Sequence, residues 1–454
     1  MERKIGNCGG HAVQYRKLLY TDGTRSGAAL FLKTGKGNFT EMTDSMAAPE
    51  ARGKKSHDVI FGAAIAARAD IEENGRPAVV NATIGAILDE EERLVCLPTV
   101  EKVYRSLSME QVIAYAPVAG MPAFLKAAEE CCFGDFRPEG FTAAVSTAGG
   151  TGAIHHVIQN YTEPGDEVLT SDWYWSAYQT LCEDNGRRLR TYRMLDGNFR
   201  FNHADFEAGM RQMAARQDWI AAVINTPAHN PTGYGLGDED WDRVLALLKE
   251  LADAGKHVTL LADVSYIDYA GERAREFFRK FSGLSRRILV VAAFSLSKSF
   301  TLYGQRIGAM IGISSSRDVI REFREINTYT NRATWSNNCR SAQECLVTIW
   351  NDPALRSAWK QEQQSCYALI RERARIFTEE AGKAGLSMLP YQAGYFLSIP
   401  AKDPQKVCGI LQRKHIHLVP LAAGIRLAVC AVPKAKMYGL AGKVKAAMEE
   451  AGEE

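Results

Sequence analysis

The chain is patterned as short apolar runs that each end in polar residues with turn chemistry. Residues 219–224 form an apolar run of strand length that enters Asn225-Thr226-Pro227-Ala228-His229-Asn230-Pro231-Thr232-Gly233, a stiff turn rich in Pro, Asn and Gly. Residues 257–262 end in Asp263-Val264-Ser265-Tyr266, and residues 288–294 end in Ser295-Leu296-Ser297-Lys298. Residues 142–145 lead through Ala148-Gly149-Gly150-Thr151-Gly152 into an apolar-periodic helix. Helical patterns such as 240–248 separate the runs. From about 111 to 340 this alternation predicts an α/β fold with a mainly parallel sheet and helices on both faces. Open sheets of this kind hold ligands at the carboxyl ends of their strands. The polar residues that follow each run are therefore the candidate site.

Among these, Lys298 is the most informative. It follows a core strand together with Ser295 and Ser297, and Arg306 comes eight positions later. A lysine buried near other cations loses its proton easily and condenses with carbonyls, while a guanidinium and hydroxyls suit a phosphate dianion. The alternative, a surface lysine after a core strand, leaves the flanking serines and arginine unexplained. Pyridoxal phosphate presents both an aldehyde and a phosphate. The glycine cluster around Gly150 and Thr151 adds backbone amides at a helix N-terminus, another place where phosphate binds.

Taken in order, these motifs resemble those of the fold-type I pyridoxal-phosphate aminotransferases, class I, in the branch that acts on aspartate and aromatic amino acids. The resemblance runs from about Asn81 to the C-terminus. It implies that Lys298 carries the cofactor, that Asp263 pairs with the pyridine nitrogen, and that Tyr266 and Asn230 bond its phenolic oxygen. It also implies that Gly150, Thr151, Ser295, Ser297 and Arg306 hold the phosphate and that Trp175 stacks on the ring, although an ungapped alignment selects Tyr174. Gly149 stands where the family often has serine. Arg426 matches the arginine that grips the substrate α-carboxylate, and Gly85 and Asn230 also face substrate. Tyr115 and Arg332 match residues donated across a dimer interface, to the cofactor phosphate and to a distal substrate carboxylate respectively. The implied reaction moves the amino group of an aspartate-like or aromatic amino acid to a 2-oxo acid, with 2-oxoglutarate as acceptor. A lyase, decarboxylase or synthase on the same fold is the alternative.

Composition narrows the remaining possibilities. With 454 residues and a net charge of +2, the chain has room for two domains and no bulk charge to attract nucleic acid or membrane. Its ten cysteines are scattered, apart from adjacent Cys131 and Cys132, with no C-x-x-C pair, so neither a disulfide framework nor a metal site is expected. A cytoplasmic protein fits that pattern, and no apolar stretch reaches the roughly 20 residues of a membrane span. Residues 1–45 lack periodicity and are expected to be an N-terminal extension. The resemblance assigns 111–340 to a large cofactor-binding domain, and 46–110 with 341–454 to a smaller α/β domain. It further implies a homodimer with shared sites.

Overall fold

The computed structural model describes residues 31–33, 39–41, 46–52, 54 and 59–453. Most of the N-terminal extension expected at 1–45 lies outside the described residues. The chain divides into two compact units after His57. In the first, strands β1 (Phe31–Lys33) and β2 (Phe39–Glu41) pair antiparallel, with Leu32 opposite Thr40.

The second unit is built on a seven-stranded sheet. Its strands are β4 (Phe141–Thr147), β5 (Glu167–Ser171), β6 (Arg188–Tyr192), β7 (Trp219–Asn225), β8 (His257–Asp263), β9 (Ile288–Ser295) and β10 (Gly308–Ser314). Strand β3 (Val80–Asn81) precedes them and lies elsewhere. The order across the sheet is β4-β10-β9-β8-β7-β5-β6. Strands β5 to β9 run parallel, while β10 runs antiparallel to both of its neighbours. All eight residues of β9 are buried, as expected for a central strand covered on both faces. One covering helix, Asp238–Asp253, buries Trp241, Val244, Leu245, Leu248 and Leu251, a stripe at spacings of three and four. Its first turn carries Asp238, Glu239 and Asp240, whose charges favour the positive end of the helix.

Topology puts the polar residues together. Strands β4, β5, β7, β8 and β9 are parallel or aligned so that their carboxyl ends share one edge. The antiparallel strand β10 begins at that edge, with Gly308 opposite both Thr147 and Ser295. Arg306, just before β10, is thereby delivered beside the residues that follow β4 and β9.

A second hydrophobic cluster is drawn mainly from residues 80–88 and 366–451. It contains a three-stranded antiparallel sheet of β11 (Phe396–Pro400), β13 (Val419–Leu421) and β14 (Gly424–Ala428), with β14 in the middle. Strand β12 (Ile416–His417) pairs parallel with β3. The helices Arg340–Asn351 and Pro353–Lys383 run between the two clusters in sequence. Leu97, Val100 and Val103, together with Ala342, Leu346 and Ile349, pack in the cluster that surrounds the large sheet.

Candidate active site

A cavity of 710 Å³ opens at the carboxyl edge of the large sheet. Among the residues singled out from sequence, Gly85, Gly150, Thr151, Trp175, Asn230, Asp263, Tyr266, Ser295, Ser297, Lys298, Arg306 and Arg426 all line it. Tyr174 does not, so the structure places Trp175 at the site in its stead. Two expected residues are elsewhere. Tyr115 is 87% exposed, and Arg332 is exposed on the helix Arg317–Thr334, where it donates to Ser336 Oγ. Neither lines the cavity of its own chain.

Lys298 sits in a four-residue helix capped by Ser295, whose Oγ accepts from the Ser297 amide. Its Nζ donates to the Gly85 carbonyl at 3.0 Å. Burial brings the amine down to about 8; Arg306 and Arg426 push the same way against an opposing pull from Cys430 and Asp263. A substantial fraction is thus neutral near physiological pH, the state in which a lysine acts as nucleophile or base.

Asp263 terminates β8, and both of its oxygens are held. Oδ2 accepts from the Tyr178 hydroxyl at 2.6 Å, and Oδ1 accepts from the Ser265 amide at 3.1 Å and hydroxyl at 2.6 Å. Desolvation, reinforced by the neighbouring carboxylate, keeps the Tyr178 proton in place, so the phenol serves as a donor. Asp263 is buried and faces the cavity as a fixed carboxylate.

The loop after β7 is stiffened by its own side chains. The Asn230 amide donates to Asn225 Oδ1 at 2.5 Å, while Asn225 Nδ2 donates to the Asp263 carbonyl at 2.9 Å. His229, brought down to about 3 by burial, stays neutral and bonds Thr232 Oγ1 at 2.8 Å. Asn230 is thereby aimed at two partners: its Nδ2 lies 3.4 Å from the Tyr266 hydroxyl, and its Oδ1 lies 3.4 Å from Arg426 Nη1.

Arg426 occupies the centre of β14, opposite Ser398 and Val419. Its Nη2 donates to the Thr83 carbonyl at 2.9 Å, and its guanidinium lies 4.3 Å from the centroid of the Phe396 ring. Ring stacking and a backbone acceptor fix the plane of the fork while leaving it at the cavity wall.

Arg306 is exposed to the cavity from a left-handed backbone position, φ +50°. Its Nη1 donates to the Tyr303 carbonyl at 3.1 Å and lies 3.4 Å from Ser297 Oγ, while Nη2 lies 3.5 Å from Thr151 Oγ1. The helix Gly149–Asn160 begins here with buried Gly149 and Gly150. At Gly149, φ is +68° and an added Cβ would stand 3.0 Å from Arg306 Nη2. The departure from serine at this position therefore has a local cause: the left-handed turn and the arginine together favour glycine.

Sequence inspection did not single out three contributors. Tyr178 lies in the helix Ala177–Asp184 and reaches Asp263 only through tertiary packing. Phe396 likewise meets Arg426 from a neighbouring strand. The helix Val59–Asn74 supplies Ile60, Phe61, Ala64, Arg68 and Ile71 to the cavity. Its spacing of three and four was a usable signal for one helical face.

The aminotransferase class I and II family matches residues 77–444. Curated relatives include the cytoplasmic aspartate aminotransferase of Dictyostelium discoideum, 27% identical over 375 residues, covering 80% of this chain and 82% of that protein. The aromatic-amino-acid aminotransferase of Paracoccus denitrificans is 26% identical over 322 residues, covering 69% and 79%. A solved aminotransferase from Anaerococcus prevotii DSM 20548 superposes with a TM-score of 0.86 at 36% identity, covering 88% of this chain and 98% of that one. The chain belongs to the aminotransferase class I and II family. It is a fold-type I enzyme that performs transamination with pyridoxal phosphate.

The residues present fit that cofactor. Five cationic side chains, Arg68, Arg76, Lys298, Arg306 and Arg426, line the cavity against two carboxylates, Glu92 and Asp263. An anionic ligand is favoured by that balance. The arginine, hydroxyls and helix start around Arg306 suit a phosphate group, while Lys298 and Asp263 suit an aldehyde and a ring nitrogen. Among the described residues, no cluster of His, Cys, Asp and Glu suits a metal ion, and no helix is long and apolar enough to cross a membrane.

Proposed function

We propose that this chain transfers the amino group of an aspartate-like or aromatic L-amino acid to a 2-oxo acid, 2-oxoglutarate foremost, in a two-stage ping-pong cycle. The observation that carries this reading is the convergence of the Lys298 amine, the Asp263 carboxylate and the Arg426 guanidinium on one cavity. Relatives named for aspartate and for aromatic amino acids support both donor classes.

Pyridoxal phosphate, when bound, supplies an aldehyde carbon that condenses with amines and a ring that withdraws the electron pair left at Cα. Arg306, Ser295, Ser297, Thr151 and the amide of Gly150 hold the phosphate end. Asp263, fixed by Tyr178 and Ser265, would pair with the ring nitrogen and keep it protonated. Tyr266 and Asn230 donate toward the phenolic oxygen; burial pushes the Tyr266 phenol well up, so it retains its proton. Trp175, at the cavity wall, would stack on the ring. Arg426 receives the substrate α-carboxylate as a two-pronged donor, which orients Cα toward Lys298. Lys298 takes the Cα proton and delivers it to the acceptor carbon, and Gly85 borders the path of substrate.

Tyr115 and Arg332 complete the site from a second copy of the chain. Both are exposed and neither lines the cavity of its own chain, which supports a homodimer with shared sites. In this reading the large domain spans 111–340 and the small domain 46–110 with 341–454, corrected in that 97–103 and 342–349 pack with the core of the large sheet and residues up to His57 fall in the first compact unit; the enzyme works in the cytoplasm, as the Dictyostelium relative's name supports.

The test is a panel of amino acids mixed with the purified holoenzyme, following conversion of the cofactor from its aldehyde to its amine form by absorbance. Conversion by aspartate, glutamate or aromatic donors, reversed by 2-oxoglutarate, is expected. Release of carbon dioxide or free ammonia without that conversion would replace transamination by the lyase or decarboxylase alternative.

A further inference from the structure

Three tyrosine rings face the Lys298 amine, and only Tyr266 has been given a role. Nζ lies 4.7 Å from the Tyr303 ring centroid, 5.6 Å from Tyr266 and 5.9 Å from Tyr395. Tyr269 fixes the lysine from behind, donating its hydroxyl to the Lys298 carbonyl at 3.1 Å. Tyr303 differs from the others in what its hydroxyl does. It accepts the Ile87 amide at 3.0 Å and lies 3.4 Å from the Tyr395 hydroxyl.

Ile87 belongs to the segment 83–88, which borders the cavity and contacts each catalytic cation. The Thr83 carbonyl accepts from Arg426 and the Gly85 carbonyl accepts from Lys298. Both bonds use groups that the reaction needs for something else: Arg426 for a carboxylate, Lys298 for the cofactor and for proton transfer. The Lys298 bond is lost whenever the lysine is engaged elsewhere, and a carboxylate competes for the Arg426 fork. The remaining backbone ties of the segment run away from the lysine loop. The Leu88 amide donates to the Cys430 carbonyl, and the Ile87 carbonyl accepts from the Val95 amide. Among the described hydrogen bonds of 83–88, the Ile87–Tyr303 bond is the link to the lysine loop for which no ligand competes. Ile87 is fully buried, so its amide has no water to replace that phenol.

We propose that Tyr303 is a positioning residue that keeps the segment 83–88 in register with Lys298 while the lysine and Arg426 are engaged by ligands. Its ring walls the amine, and its hydroxyl tethers the segment. Removing only the hydroxyl separates the two contributions, since phenylalanine keeps the ring.

The experiment is hydrogen exchange of the holoenzyme, comparing wild type with Tyr303→Phe and Tyr395→Phe, followed by steady-state kinetics. In Tyr303→Phe, amides at 84–88 should exchange about tenfold faster, the order expected when one buried hydrogen bond is lost. Protection in β9 should be unchanged. The specificity constant for amino donors should fall about tenfold, mostly through KM, with cofactor retained. Tyr395→Phe leaves the Ile87 bond in place and should stay within about twofold of wild type at 84–88. Wild-type exchange at 84–88 in Tyr303→Phe, or loss of protection spread equally over β9, would overturn the proposal. The inference rests on the assignment of Lys298, yet exchange is read without turnover. An error in that assignment would show instead as activity surviving in Lys298→Ala.

Discussion

Tyr178 donates its hydroxyl to Asp263 Oδ2 at 2.6 Å, so the carboxylate at the end of β8 is oriented by a phenol from a helix 85 residues earlier in the chain. Ser265 occupies the other oxygen. The carboxylate is thus held in one rotamer before any ligand arrives. Replacing Asp263 with alanine removes the buried partner of a protonated ring nitrogen, a loss of about 3–5 kcal/mol. Cα-proton exchange should fall by roughly a hundredfold to several thousandfold, with cofactor affinity affected less. Tyr178→Phe removes one hydrogen bond to a charged group, about 1.5–3 kcal/mol, and should slow exchange by roughly tenfold to a hundredfold. Exchange of the substrate Cα proton with deuterated solvent measures both, and equal rates in wild type and Asp263→Ala would remove Asp263 from the mechanism.

Lys298→Ala should abolish turnover while the protein still binds pyridoxal phosphate noncovalently, because Arg306, Ser297 and Thr151 are untouched. Mass spectrometry after borohydride reduction should find no cofactor attached to the variant, whereas equilibrium binding should still detect it. Near wild-type turnover would eliminate the lysine as the catalytic amine.

The depressed Lys298 amine has a direct pH signature in the cofactor-free protein. Only the neutral amine reacts with acylating reagents, so modification of Lys298 should rise with pH around a midpoint of about 8, while solvated lysines follow near 10.4. Arg306 contributes to the depression, so Arg306→Gln should move the midpoint upward. Site-resolved mass spectrometry reads both. A midpoint that stays with the solvated lysines in the wild type would contradict the enclosed setting described for Nζ.

Arg332 distinguishes a shared site from a self-contained one. If its guanidinium meets a distal carboxylate across a dimer, Arg332→Ala loses one partner of a desolvated pair, about 2–5 kcal/mol. The specificity constants for aspartate and glutamate should then drop roughly thirtyfold to several thousandfold, with phenylalanine touched much less. Small and equal changes for glutamate and phenylalanine would remove the distal-carboxylate role and leave Lys298 unaffected.

Much of the site was legible because its residues follow strands whose apolar runs are unmistakable. Asp263, Asn230 and Lys298 each stand just beyond such a run, and β7, β8 and β9 end where the turn chemistry begins. What escaped were residues whose role exists only across elements. Nothing in the local sequence of Tyr178 points to Asp263, and nothing around Phe396 points to the guanidinium it underlies. The antiparallel course of β10 is similarly a property of pairing: it brings Arg306 to the carboxyl edge, while the apolar pattern of 308–314 is equally compatible with either direction. Serine was the familiar residue at position 149, and only the positive φ and the nearby arginine explain glycine there.

The placement of Arg426 in the middle strand of the small sheet has a temporal consequence. Chain growth from the N-terminus releases every residue of the phosphate and ring-nitrogen cage well before β14 emerges, and β14 needs both β11 and β13 to seat its arginine. The residues that hold the cofactor are thus complete in the chain before the one that grips the amino acid, yet Tyr266 and the segment 80–88 pack in the same cluster as β14. Carboxylate grip and cofactor enclosure therefore share one core, and a cut before residue 424 removes the middle strand on which both depend.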